Sequence, residues 1–166
     1  MPATRDDVWF CLHLYEQRRE PVLREAREWM SNFRPQSFAD LQRVLDGREG
    51  PEANRFWRQA TSYWEMIAAL LTSGAMSSEA IDLFAKTTRE WFFFWSKVEP
   101  FIVELRAATK PSAFASLELL CRSRPDYEEV LAYFRKINVV PKKAPRKRPS
   151  GTRAPAARRS KSPRRR

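Results

Sequence analysis

EANRFWRQATSYWEMIAALLTSG, residues 52–74, is the stretch on which the fold turns. Phe56, Ala60, Tyr63, Ile67 and Leu70 recur at three- and four-residue spacing, which predicts a helix from Glu52 to Ser73 with one apolar stripe. Gly74 follows where a left-handed C-cap residue is wanted. The sequence continues outward in the same style. Downstream, Ser77 or Ser78 caps a second long helix, predicted to reach Ala108. Its stripe is Phe84, Trp91, Phe94, Trp95, Val98, Ile102 and Leu105, and Pro100 predicts a kink within it. Lys110-Pro111 breaks it. Two shorter helices follow, near Ser112–Cys121 and Asp126–Ile137. Upstream, Thr4 with Asp7 marks a helix start, and VWFCLHLY (8–15) is apolar on nearly every side, which suggests a buried first helix. Pro21 ends or kinks it and opens another helix carrying Val22, Ala26, Trp29 and Phe33. Ser37-Phe-Ala-Asp40 matches a capping box and opens a short helix to about Asp46. No segment alternates at period two, and no two-residue hairpin turn occurs. The fold class is therefore all-α: a compact bundle of five to seven helices with short connections, sequential helices mostly antiparallel.

The chain has 166 residues, 31 Lys+Arg and 20 Asp+Glu, a net charge of +11. That charge is unevenly placed. Residues 141–166 hold twelve of the basic residues, five prolines and no acid, which leaves 19 basic and 20 acidic side chains in 1–140. A nearly neutral domain, 1–140, thus carries a cationic arm, 141–166. The arm has no aromatic or large aliphatic side chain, so burial cannot offset the entropy of ordering it, and it is expected to be disordered alone. All six Trp, four Tyr and eleven Phe precede it and supply the core of the domain.

Each Lys or Arg that neutralises a phosphate releases condensed counterions from a nucleic acid. The arm has no aromatic ring to stack on bases and no Asn or Gln to read adenine edges. Non-sequence-specific binding of DNA or RNA is expected, with Lys142, Lys143, Arg146, Lys147, Arg148, Arg153, Arg158, Arg159, Lys161, Arg164, Arg165 and Arg166 each as a phosphate contact. The closing Ser-Pro-Arg-Arg-Arg resembles the Ser-Pro-basic repeats of histone and protamine tails. A merely solvated tail, or adhesion to anionic lipid headgroups, competes with this reading. Phosphorylation at Ser150, Thr152, Ser160 or Ser162 would weaken the field.

Candidates for chemistry are few. His13 is the only histidine, with Glu16 and Glu20 at helical spacing, and no second set exists to complete a di-metal site. Cys11 and Cys121 follow no metal or redox spacing and read as buried free thiols. A His13–Cys121 pair in space is the one nucleophile arrangement left open. Asp6-Asp7 and Glu128-Glu129 fall in first turns, where carboxylates favour the helix dipole. Gly47 and Gly50 form no phosphate loop. No catalytic residue, metal or cofactor is expected. Arg55-Phe-Trp-Arg58 interleaves basic and aromatic residues, but Phe56 is read as core and the arginines as solvated.

WFFFW (91–95) raises the question of a contact surface. With Trp91, Phe94 and Trp95 inward, Phe93 falls opposite, beside Asp82, Lys86, Arg89, Lys97 and Glu104, with Phe92 at the flank. Either other helices cover that side, or Phe92 and Phe93 belong to a protein interface, with a homo-oligomer as the natural partner. The N-terminal MPATRDDVWFCLHLYEQRRE does not read as a signal peptide, and no apolar run is long enough to span a bilayer.

LYEQRREPVLREAREWM (14–30), TSYWEMIAALLTSGAMSSEAIDLF (61–84) and WSKVEPFIVELRAA (95–108) are similar to a family of small helical bacterial proteins, known as a domain of unknown function. Gly74 matches the Gly that ends the family's aromatic helix, and Trp95, Pro100 and Arg106 match its following helix. The resemblance covers about residues 5–120 and implies an all-helical, cytoplasmic bacterial protein; the arm, by its charge, adds nucleoid association if its partner is DNA. The resemblance implies no activity, cofactor or catalytic residue, and the arm is no part of it. The sequence thus leads to a non-enzymatic helical domain tethered to nucleic acid by its arm. The alternative is a protein-interaction or dimerisation module to which the arm is accessory.

Overall fold

Four of the helices open on a side chain that accepts from a first-turn amide. A computed structural model describes residues 3–139, with side chains to 138. Among them the helices are α1 (Arg5–Gln17), α2 (Pro21–Asn32), α3 (Phe38–Leu45), α4 (Pro51–Thr72), α5 (Ser78–Thr87), α6 (Glu90–Val98), α7 (Ile102–Ala108), α8 (Ala115–Arg122) and α9 (Tyr127–Val139). Reciprocal Thr4–Asp7 and Ser37–Asp40 capping boxes open α1 and α3 as expected. Pro21 and Pro51 stand at first positions, where a missing N–H costs nothing. Gly74 takes the left-handed conformation, φ 81°, just beyond α4.

The long helix α4 is the axis of the bundle, packed mainly against α2 and α8 and less extensively against α3 and α6. Its buried positions are Ala53, Trp57, Ala60, Thr61, Tyr63, Trp64, Ile67, Ala68 and Leu71. The stripe is therefore rotated from the predicted one: Leu70 is 40% exposed, and Trp57 rather than Phe56 is buried. Two apolar rows overlap in this helix. Facing α2 and α8 buries the row containing the two indoles, which removes the larger apolar area from water. Trp64 sits edge-on to Trp91 at 6.5 Å, and Phe84 stacks on Trp91 at 5.4 Å. Trp64, Trp91 and Trp95 are all fully buried.

The single helix expected from Ser77 or Ser78 to Ala108 is three. It first breaks at Thr88, which is extended, φ −156° and ψ 142°, and whose hydroxyl accepts from the Glu90 amide at 3.3 Å. The break lets the Glu90 carboxylate meet Arg18 of the α1–α2 turn at 2.7 Å and Arg27 of α2 at 2.6 Å. No Pro or Gly announces it; the only local trace is the β-branched pair Thr87-Thr88, weak helix formers. The second break is at Pro100, where the kink was expected, and takes the form of a one-turn 3-10 segment, Glu99–Phe101. Subdivision here is why the described residues contain nine α-helices where five to seven were expected.

Two further expectations are corrected. The first helix is not buried all round: only Cys11 and Leu14 are buried in α1, while Val8, Trp9, Leu12 and Tyr15 are 41–61% exposed. Phe92 and Phe93 are not an open surface. Phe92 is 2% exposed, and Phe93 is half-buried, edge-on to Phe134 of α9 at 5.8 Å. Of the two readings of WFFFW, the covering helix is the one realised. α6 packs on the core with one face and under α9 with the other. Residues 141–166, with the twelve basic side chains assigned to phosphate contacts, lie outside the described residues.

Candidate functional site

A cleft of about 800 Å³ lies on the outer side of the N-terminal half of α4. Asn54, Arg55, Arg58 and Glu65 of α4 form one wall, and Lys110 and Phe114 of the α7–α8 connection face them. That connection is held firmly. Arg106 donates to the Ala113 carbonyl at 3.0 Å and pairs with Glu118 at 2.7 Å. Both oxygens of Glu65 accept backbone N–H groups of Ser116 and Leu117, each at 3.0 Å. A side chain of α4 thus caps the first turn of α8, a helix whose own N-cap residue, Phe114, supplies no side-chain bond. Phe114 is the one non-glycine residue with positive φ among those described, φ 57°. Its left-handed backbone costs roughly 1–2 kcal/mol, offset by its ring packing edge-on to Trp57 at 6.1 Å.

The electrostatics of the cleft are one-sided. Glu65 is the sole carboxylate in its lining, and both its oxygens are engaged by the α8 amides. Arg55 pairs with Glu52 at 2.6 Å and lies over the Phe56 ring at 4.9 Å. Arg58 and Lys110 are exposed and make no ion pair among the described residues. Arg58 also borders a second hollow shared with Asn54 and Thr109. The arrangement places exposed positive charge at an open rim, suited to attracting an anion.

The last turn of α9 connects to the cleft wall through a chain of contacts. The Ile137 carbonyl in the last turn of α9 accepts a bond from Arg34, next to Phe33. Phe33 is edge-on to Trp57 at 6.2 Å, and Trp57 is edge-on to Phe114 in the cleft wall. Beneath this junction lies Lys97, 2% exposed. Its ammonium donates to the Phe33 carbonyl and sits 4.4 Å from the Phe93 ring centroid. Burial first, and the neighbouring Arg34 charge second, pull its pKa down to about 7. Sequence periodicity had placed Lys97 on a polar face.

The remaining candidates for chemistry stay apart. His13 is exposed on α1 and contacts Gln17 at 3.2 Å, whereas Cys121 is fully buried in α8. Burial raises the pKa of both thiols, Cys11 and Cys121, which leaves them unreactive. Asp6-Asp7 and Glu128-Glu129 occupy first turns, as expected. Among the described residues no group of three or more His, Cys, Asp or Glu could hold a metal ion. No helix among them is long and apolar enough to cross a membrane. Sequence reasoning missed Glu65 and Phe114, whose roles depend on contacts with partners remote in the chain. Arg58 was seen, but only as a solvated side chain.

One family model, described as a domain of unknown function (DUF4760), matches residues 4–124. No curated protein and no solved structure matches the chain.

Proposed function

Taking as premise that the chain belongs to this family of unknown-function domains, we propose that it is a non-enzymatic helical domain tethered to nucleic acid by its C-terminal arm. The observation that carries the reading is the charge distribution: twelve Lys or Arg and no Asp or Glu after Val140, on a domain of net charge −1. The arm makes non-sequence-specific phosphate contacts through Lys142, Lys143, Arg146, Lys147, Arg148, Arg153, Arg158, Arg159, Lys161 and Arg164–Arg166. Arg58 and Lys110 at the cleft rim add two positive charges that favour the same polyanion. Such a protein works in the cytoplasm, at the nucleoid when DNA is the partner.

Binding of the full-length chain and of a 1–140 truncation to random-sequence duplex DNA across a salt series tests this. Neutralising about six phosphates gives a log–log salt slope of about −5. The full-length chain is expected to show a slope of that order, and the truncation to lose most of the affinity. Equal binding by both would move the site to the folded surface around Arg58. No binding by either at moderate salt rejects the nucleic-acid reading.

A further inference from the structure

The outer face of α1 carries an exposed apolar strip with a charge at each end. Its inner row, Asp7, Cys11, Leu14 and Arg18, faces the bundle, with Cys11 and Leu14 buried. The opposite row, at the same four-three-four spacing, is Arg5, Trp9, Leu12 and Glu16, all exposed. Trp9 is 61% and Leu12 50% exposed, and Val8 and Tyr15 widen the apolar strip at 41% and 43%. This spacing is a two-layer coiled-coil seam, in which an antiparallel partner sets each a residue against a d residue. Laid antiparallel on a second copy, Trp9 meets Leu12 of that copy and Arg5 meets its Glu16, twice over by symmetry. That is the isologous, self-complementary pattern a two-fold interface requires.

The two charges bear this out independently. Neither Arg5 nor Glu16 makes an ion pair among the described residues. Each also stands at the wrong end of its own helix dipole: Arg5 in the first turn, Glu16 in the last, where α1 has no basic residue. In an antiparallel pair the second copy's Glu16 comes to the N-terminal end of α1, and Arg5 comes to the second copy's C-terminal end. Both misplaced charges then favour the neighbouring dipole as well as each other. We propose that the chain forms a two-fold homodimer through antiparallel pairing of α1, with Trp9 and Leu12 as the apolar layers and Arg5–Glu16 as the flanking pairs. One short helix per protomer makes a small interface, so the dimer is reversible. The inference does not depend on the arm binding nucleic acid.

Sedimentation equilibrium of the full-length chain, without nucleic acid, tests it. The wild type is expected to approach twice the chain mass of 19.5 kDa at high concentration and to dissociate on dilution. Arg5→Glu and Glu16→Arg each turn two attractions into two repulsions and are expected to raise the dissociation constant roughly tenfold. The double variant Arg5→Glu/Glu16→Arg restores the pairs and should recover wild-type association. Trp9→Ser should be monomeric with an unchanged circular dichroism spectrum, since the side chain is exposed. A monomeric wild type overturns the proposal, as does a dimer that survives Trp9→Ser. Failure of the double variant to recover overturns the antiparallel register. Binding of the monomer to neutral lipid vesicles through Trp9 would give the face to a membrane surface instead.

Discussion

At residue 97 a lysine is buried against a backbone carbonyl and an aromatic face, beside the like charge of Arg34. The charge of its ammonium is what the site resists, and this makes stability depend on pH. With a folded pKa of about 7 against an ordinary 10.5, the unfolded chain holds a proton that the folded chain has lost anywhere between those values. Stability therefore rises with pH from about 7 upward. The opposing groups act later. Burial pushes Tyr63 up to about 12 and raises both thiols, so in the alkaline range the folded state retains protons that the unfolded state releases, and stability falls again. The urea midpoint of the wild type should climb between about pH 6.5 and pH 8.5, and that of Lys97→Met should stay flat. A variant that keeps the rise would remove Lys97 as its source. Periodicity could not place this residue: the Phe33 carbonyl and the Arg34 charge beside it follow α2, far away in the chain.

At the scale of the element, α8 shows how a helix can begin without a local signal. Phe114 stands at its N-cap in a left-handed conformation and offers no hydrogen bond, so α4 supplies the cap through Glu65. Glu65→Gln keeps the size but cannot accept two amides with the charge that strengthens them. Its expected cost is about 1–3 kcal/mol, read from the urea midpoint; no shift would mean that water caps α8 equally well. The α5–α6 break is the same kind of decision. Nothing strong in Thr87-Thr88-Arg89 stops a helix, yet an uninterrupted one would not bring Glu90 to Arg18 and Arg27. By contrast, α1, α2 and α3 start where Thr4, Pro21 and Ser37 indicated, and α4 starts one residue before the expected Glu52, because caps and prolines act within a single turn.

At the scale of the whole molecule, the family match stops at residue 124, but the core does not. α9 covers α6: Tyr127 accepts from the Trp95 indole at 3.1 Å, Phe134 meets Phe93, Arg135 pairs with Glu99 at 2.6 Å, and Asn138 donates to Ser96 at 2.7 Å. A chain ending at residue 124 would expose Phe92, Phe93 and Trp95 and leave the Trp95 N–H unpartnered. Such a truncation is expected to bind a hydrophobic dye and lose cooperative urea unfolding. A chain ending at residue 139 should unfold at the full-length midpoint. Cooperative unfolding by the shorter chain would show that α9 is an addition to a core already complete.

What the sequence by itself determined was whatever depends on neighbours a few residues away. The all-helical class, the caps, the glycine at the end of α4 and the separation of a neutral domain from a cationic arm rest on local sterics, periodicity and composition. The tertiary structure alone decided which of two apolar rows on α4 is buried, that α6 is covered on both faces, that Lys97 lies inside, and that an apolar strip is open on α1 rather than at Phe92 and Phe93. The physical reason is that an apolar side chain states only that it gains from leaving water. Which surface removes it from water is set by the packing of helices distant in the chain, and that geometry is written in no single segment.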